Sequence, residues 1–179
     1  MGLTRGLTRP LPGEYAEGFA PYLAAAPEGD VLGLLRSQMD EVAGLFGSLT
    51  EVQGAHRYAP GKWSLKDLLQ HLSDAELIFA YRCLRIGRGD VTPLPGFDEE
   101  AYAAVAKADE RPLADLLSDF RAVRSASLTL FKGLPEGAWA QKGTSNGRSI
   151  TARCFPYICL GHAAHHLVVI RERYLPGLT

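Results

Sequence analysis

Leu160-Gly-His-Ala-Ala-His-His-Leu-Val-Val-Ile-Arg-Glu-Arg-Tyr174 is the stretch that decides how this chain is read. It holds three of the chain's five histidines, at positions 162, 165 and 166. As a helix it places His162 and His166 on one face, one turn apart. Phe155, Cys159, Ala163, Val169 and Ile170 recur around them at helical spacing, which marks that face as core-facing. An imidazole on such a face needs a hydrogen-bond partner or a metal ion. A core histidine bonded to a backbone carbonyl meets the need in one way. Two imidazoles at i and i+4 converging on one ion meet it in the other. The pair is read as two ligands of a metal site inside a helical bundle.

A third ligand comes from further up the chain. Ser64 and Asp67 resemble a capping box, and a helix is expected from Leu65 to about Ile86. Its apolar stripe runs through Leu65, Leu68, Leu72, Ala75, Phe79 and Cys83, and His71 belongs to it. Asp74 lies on nearly the same face, whereas Glu76 lies opposite and reads as solvated. Two further helices complete a bundle. The first starts at an Asp30 N-cap and is expected to end near Gln53-Gly54. The third starts with Pro112 in its first turn and stops at Gly133-Leu134-Pro135. The last helix is capped by Ser149 or Thr151, bent by Pro156, and ends by Leu175-Pro176-Gly177.

The connections suggest the topology. Residues 88–112 separate the second and third long helices, with a short helix over Asp98–Lys107 that turns Tyr102 and Val105 inward. A simple helix hairpin needs roughly 2–8 residues, so this link is a crossover between parallel neighbours. Residues 136–148 are rich in turns, and Asn146-Gly147 favours a short hairpin. Residues 1–29 form an N-terminal arm that is either a frayed tail or a strap held by Tyr15, Phe19 and Tyr22. The expected architecture is all-α: a four-helix bundle over residues 30–179 with one long crossover.

Composition narrows the functions. Net charge is −1 with both signs scattered, unlike a nucleic-acid surface. No run approaches the roughly 18 apolar residues of a membrane span, and residues 1–12 lack a signal-peptide core. Three cysteines without metal-finger spacing fit a reducing, cytoplasmic setting. No phosphate loop, acyl-transfer triad or dinucleotide fingerprint is present.

Trp63-Ser-x3-Leu-Leu-x-His71-Leu-x-Asp74-Ala-Glu76, followed by Gly161-His162-x2-His165-His166-x3-Ile170, resembles the DinB/YfiT-like superfamily. The resemblance covers residues from about 30 to 175, and its two motifs are specific as an ordered pair. It implies a four-helix bundle, often a homodimer, with a three-histidine site for zinc or nickel whose ligands fall on His71, His162 and His166. It also implies a metal-dependent enzyme, either a hydrolase or a thiol S-transferase using a low-molecular-weight thiol cosubstrate. The alternative is a non-enzymatic metal-binding stress-response protein. Pro156 and residues 1–29 depart from the family pattern.

Several residues stay open at this point. His165 competes with His166 as a ligand, or serves behind the site or on a dimer face. Cys159 or Asp74 would close the site as a fourth ligand and favour a structural ion. His56 reads as a solvated loop residue. Arg82, Arg85 and Arg88 either recognise an anionic substrate or form a solvated face near the negative helix end. Trp139, Tyr157 and Tyr174 are candidate exposed anchors for a dimer.

Overall fold

The computed structural model of this chain describes residues 6–178. Four long helices make the bundle: α2 (Val31–Gly47), α4 (Leu65–Gly87), α6 (Leu113–Gly133) and α7 (Cys154–Val169). Short helices α1 (Ala20–Ala25), α3 (Glu51–Gly54) and α5 (Glu99–Ala106) sit between or before them. A two-stranded hairpin, β1 (Lys142–Ser145) and β2 (Arg148–Thr151), precedes α7.

Local chemistry explains most boundaries. Asp30 caps α2 by accepting from the Leu32 amide. Ser64 and Asp67 exchange both bonds of a capping box at the start of α4. The first helix ends at Gly47 rather than near Gly54, because Thr50 and Gln53 form a second capping box that restarts the chain as α3. Asn146 and Gly147 both take positive φ, 50° and 71°, and close the β1–β2 hairpin in a two-residue turn. Ser149 and Thr151 do not cap the last helix; both lie in β2. Pro156 is the third residue of α7, where an amide has no intrahelical acceptor, so no helical bond is lost there. The irregularity of this helix comes at its other end, as a π-turn over Ile170–Tyr174.

Around the bundle the order is α2, α6, α4, α7. Directions follow from the contacts. Lys66 reaches the Arg111 carbonyl at the start of α6, Glu76 meets Arg124 in the middle, and Gly87 faces Leu134 at the end. Helices α4 and α6 are therefore parallel neighbours, joined by the crossover over residues 88–112. Helix α7 runs against α4, since Cys83 meets Ala152, His71 meets His162 and Trp63 meets Tyr174. Helix α5, part of this crossover, packs on α4 without a buried residue of its own, so Tyr102 and Val105 are exposed rather than inward.

The core has two apolar clusters, one centred on Phe131, Trp139 and Phe155 and one on Phe46, Leu69 and Phe120. Trp139, Tyr157 and Tyr174 are buried, so none anchors a partner. Tyr174 donates to the Trp63 carbonyl at 2.8 Å, and half-buried His56 packs edge-on against its ring. Glu76 is also buried rather than solvated: Arg124 Nε lies 2.7 and 2.8 Å from its two oxygens. Arg124 Nη1 donates to the Leu35 carbonyl and to Gln38, and Gln38 donates to the Leu160 carbonyl. One polar network thus touches all four long helices and fixes their mutual register.

The arm is a strap. Helix α1 packs on α7, with the Tyr22 carbonyl so close to Gly161 that any Cβ at position 161 would overlap it. Arg9 binds the Leu23 and Ala26 carbonyls at the end of α1, and the Thr151 amide donates to the Glu14 carbonyl.

Candidate metal centre

The histidines are placed by two antiparallel helices. His71 lies two turns into α4, and His162 and His166 lie in α7 on the face that meets it. Their ring nitrogens converge. His162 Nε2 is 3.0 Å from His71 Nε2 and 3.1 Å from His166 Nε2, and one nitrogen from each ring falls within 4.8 Å of the others. His162 is buried; His71 and His166 are partly so.

Hydrogen bonding alone does not account for this cluster. A neutral imidazole nitrogen carries either one proton or one in-plane lone pair. His162 Nε2 therefore has one proton or one lone pair to share between two nitrogen neighbours, and only one of the two contacts can be a well-directed hydrogen bond. A cation between the rings removes the conflict, because all three nitrogens then present lone pairs. Burial agrees with that state. It lowers the pKa of His71 to about 4 and that of His166 to about 3, and that of His162 well below the usual imidazole value. The neighbouring imidazoles push His162 and His166 further down. All three rings are neutral near pH 7, which is the ligand form. The donor set fits a divalent ion.

The competing residues stand outside. The His165 side chain is exposed and its ring packs against Tyr22, centroids 5.9 Å apart. Asp74 accepts from Gln70 at 2.8 Å. Cys159 is buried, and burial raises its thiol pKa well above the ordinary value, so it is not a ready thiolate. Among the described residues the convergent group contains His71, His162 and His166 alone.

A cleft of about 140 Å³ opens on this centre. His71 and His162 line it, together with Tyr22, Phe79, Arg82 and Glu99. Tyr22 meets the His162 ring edge-on at 5.2 Å, and Trp63 tilts against His71 at 4.8 Å. The Trp63 indole donates to Glu100 at 3.0 Å. Burial, and then the charge of Glu99, raises the Tyr22 pKa and keeps its phenol protonated. Sequence reasoning gave Tyr22 only a packing role and missed Glu99. The aromatic spacing in the arm was a signal, but nothing local linked it to the histidines.

Fold and site together define a class: a four-helix bundle with parallel neighbours and three convergent histidines able to hold a metal ion. The chain belongs to the DinB superfamily, whose sequence model matches residues 34–170. Among solved structures it is similar to YfiT from Bacillus subtilis, described as a probable metal-dependent hydrolase with an unusual four-helix bundle topology. The two share 16% identity at a TM-score of 0.68, over 92% of this chain and 90% of that one. That likeness establishes the fold. No curated protein sequence matches the chain.

Proposed function

We propose that this protein is a metal-dependent hydrolase of a small molecule, with zinc or nickel held by His71, His162 and His166. The observation that carries the proposal is the convergence of three neutral imidazoles beside a cleft, without a fourth protein donor among the described residues. The hydrolase named for YfiT supports the same reading. A bound divalent ion would supply Lewis acidity there, polarising the substrate and making water a nucleophile near neutral pH.

The chain's own groups do the rest. Glu99 lines the cleft as a carboxylate able to take a proton from the attacking water. The Tyr22 phenol, kept protonated, donates a hydrogen bond to the oxygen on which charge develops. Tyr22, Trp63 and Phe79 pack around the histidines and exclude bulk water. A small thiol cosubstrate would enter by the same cleft, but no side chain in it singles one out. A structural ion would be better served by a closed site, and Asp74 and Cys159 lie outside the group.

The test is turnover of small ester, amide and phosphoester substrates by chelator-stripped and metal-reloaded protein. Activity is expected only after reloading. Glu99→Gln should lower kcat by about a hundredfold while metal content stays unchanged. Tightly held metal with no turnover of any of these substrates would favour the non-enzymatic alternative.

Two further expectations belong with this reading. A cytoplasmic location is expected, because Cys83, Cys154 and Cys159 are all free thiols. It is also expected to form a homodimer. Leu77, Tyr81 and Leu84 are exposed at helical spacing on the outer side of α4 and supply the apolar face that the buried aromatics do not. Light scattering at micromolar concentration checks this, and a monomer would count against it.

A further inference from the structure

The three arginines near the end of α4 have three different fates. Arg88 is an exposed C-cap residue, and Arg85 pairs with Asp90 and Tyr81. Arg82 differs from both. It is 4% exposed, yet no carboxylate pairs with it among the described residues. Its Nη2 donates to the Pro95 carbonyl at 2.6 Å, and its guanidinium lies over the Phe97 ring. Nε and Nη1 find no protein acceptor among the described residues. Neither nitrogen is among the described buried atoms left without a partner, so both reach solvent and stay open to an anion entering the cleft.

The surroundings of Arg82 are built. The Leu94 amide donates to the Thr144 carbonyl and the Asn146 amide to the Leu94 carbonyl, each at 2.9 Å. These bonds stitch the loop carrying Pro95 and Phe97 to the β1–β2 turn. The Pro95 carbonyl and the Phe97 ring hold the guanidinium from that loop. Arg82 also follows His71 by eleven residues, about three helical turns, and so shares its face of α4. Both line the same cleft, with Phe19, Phe79 and Phe97 in its walls.

We infer that Arg82 is the specificity residue of this cleft, and that the substrate carries a carboxylate which pairs with Arg82 while its reacting bond faces the histidines. The inference rests on the histidine cluster being the reaction centre. A planar carboxylate matches the fork of a guanidinium and supplies the missing negative charge. One negative charge fits better than two, because Arg82 is the one cationic side chain lining the cleft among the described residues and Glu99 shares it. The aromatic walls suit a flat or apolar segment between the two ends of the molecule.

The test is calorimetric titration with benzoate, its neutral counterpart benzamide, and phenyl phosphate. Each is titrated into metal-loaded and metal-stripped full-length protein. Benzoate should bind both forms, and benzamide should bind at least about tenfold more weakly, as for a lost charge-assisted bond. Arg82→Gln should weaken benzoate at least about tenfold in both forms and keep its metal content. Arg82→Lys, which retains the charge, should fall between. The inference is overturned if the parent fails to bind benzoate at millimolar concentration or does not prefer it to benzamide. It is overturned equally if benzoate binds only the metal-loaded form with no loss in Arg82→Gln, since the ion then holds the anion. Tighter binding of phenyl phosphate than of benzoate would overturn the carboxylate assignment. The stripped-protein arm needs no metal, so failure here is distinguishable from failure of the hydrolase reading.

Discussion

Replacing His162 by alanine is expected to empty the metal centre. His162 Nε2 is the middle nitrogen of the three, within 3.1 Å of both partners. Its loss leaves two ligands from different helices and a gap between them. Even the loss of an outer-shell partner costs about ten- to a hundredfold in metal affinity, so loss of this ligand should exceed a hundredfold. His166→Ala should behave in the same way. His165→Ala should retain the ion, because its ring is exposed and contributes no nitrogen to the convergent group. Metal content after dialysis against a mild chelator makes the comparison, with circular dichroism confirming that each variant keeps its helices. An emptied His165 variant beside a loaded His166 variant would reverse the ligand assignment.

The largest effect on stability is expected at Glu76. Glu76→Ala leaves the Arg124 guanidinium, which is fully buried, without its carboxylate. Breaking one side of a buried pair costs about 3–5 kcal/mol, a large share of the roughly 5–15 kcal/mol that holds a typical domain together. Arg124 also bonds Leu35 and Gln38, so the loss should spread to α2. Urea denaturation should show a much lower midpoint for Glu76→Ala. The double variant Glu76→Leu/Arg124→Met removes both charges and should recover much of the loss. A Glu76→Ala variant within about 1 kcal/mol of the parent would mean that Arg124 finds another partner or water.

How much of this could be read from the residues depends on how local each signal is. The α4 capping box and the Asn146-Gly147 turn are fixed within a few residues and appear in the structure as read, and the i, i+4 spacing of His162 and His166 brings their ring nitrogens together. His71 was legible because it shares the stripe of Leu68 and Ala75, which faces α7. Glu76 was misread because a single buried stripe was assumed for α4. That helix packs on both α6 and α7, so it buries two faces, and Glu76 occupies the one toward Arg124. Trp139, Tyr157 and Tyr174 were misread for a related reason. Arg9 of the arm lies over the Tyr157 ring, and Trp63 and Tyr58 meet Tyr174, contacts that join residues far apart in the chain. Tyr22 was legible only as a packing residue of the arm, because its tie to the centre runs through a close approach at Gly161, far away in the chain.

The central claim is that one ion sits between three imidazoles from α4 and α7. Anomalous diffraction at the metal edge, from crystals of metal-loaded protein, tests it most directly. The expected result is a single peak about 2.0–2.1 Å from Nε2 of His71, His162 and His166, with no sulfur or carboxylate of the chain in the shell. A peak elsewhere, or one that includes His165 or Cys159, or no peak between these rings, would contradict it.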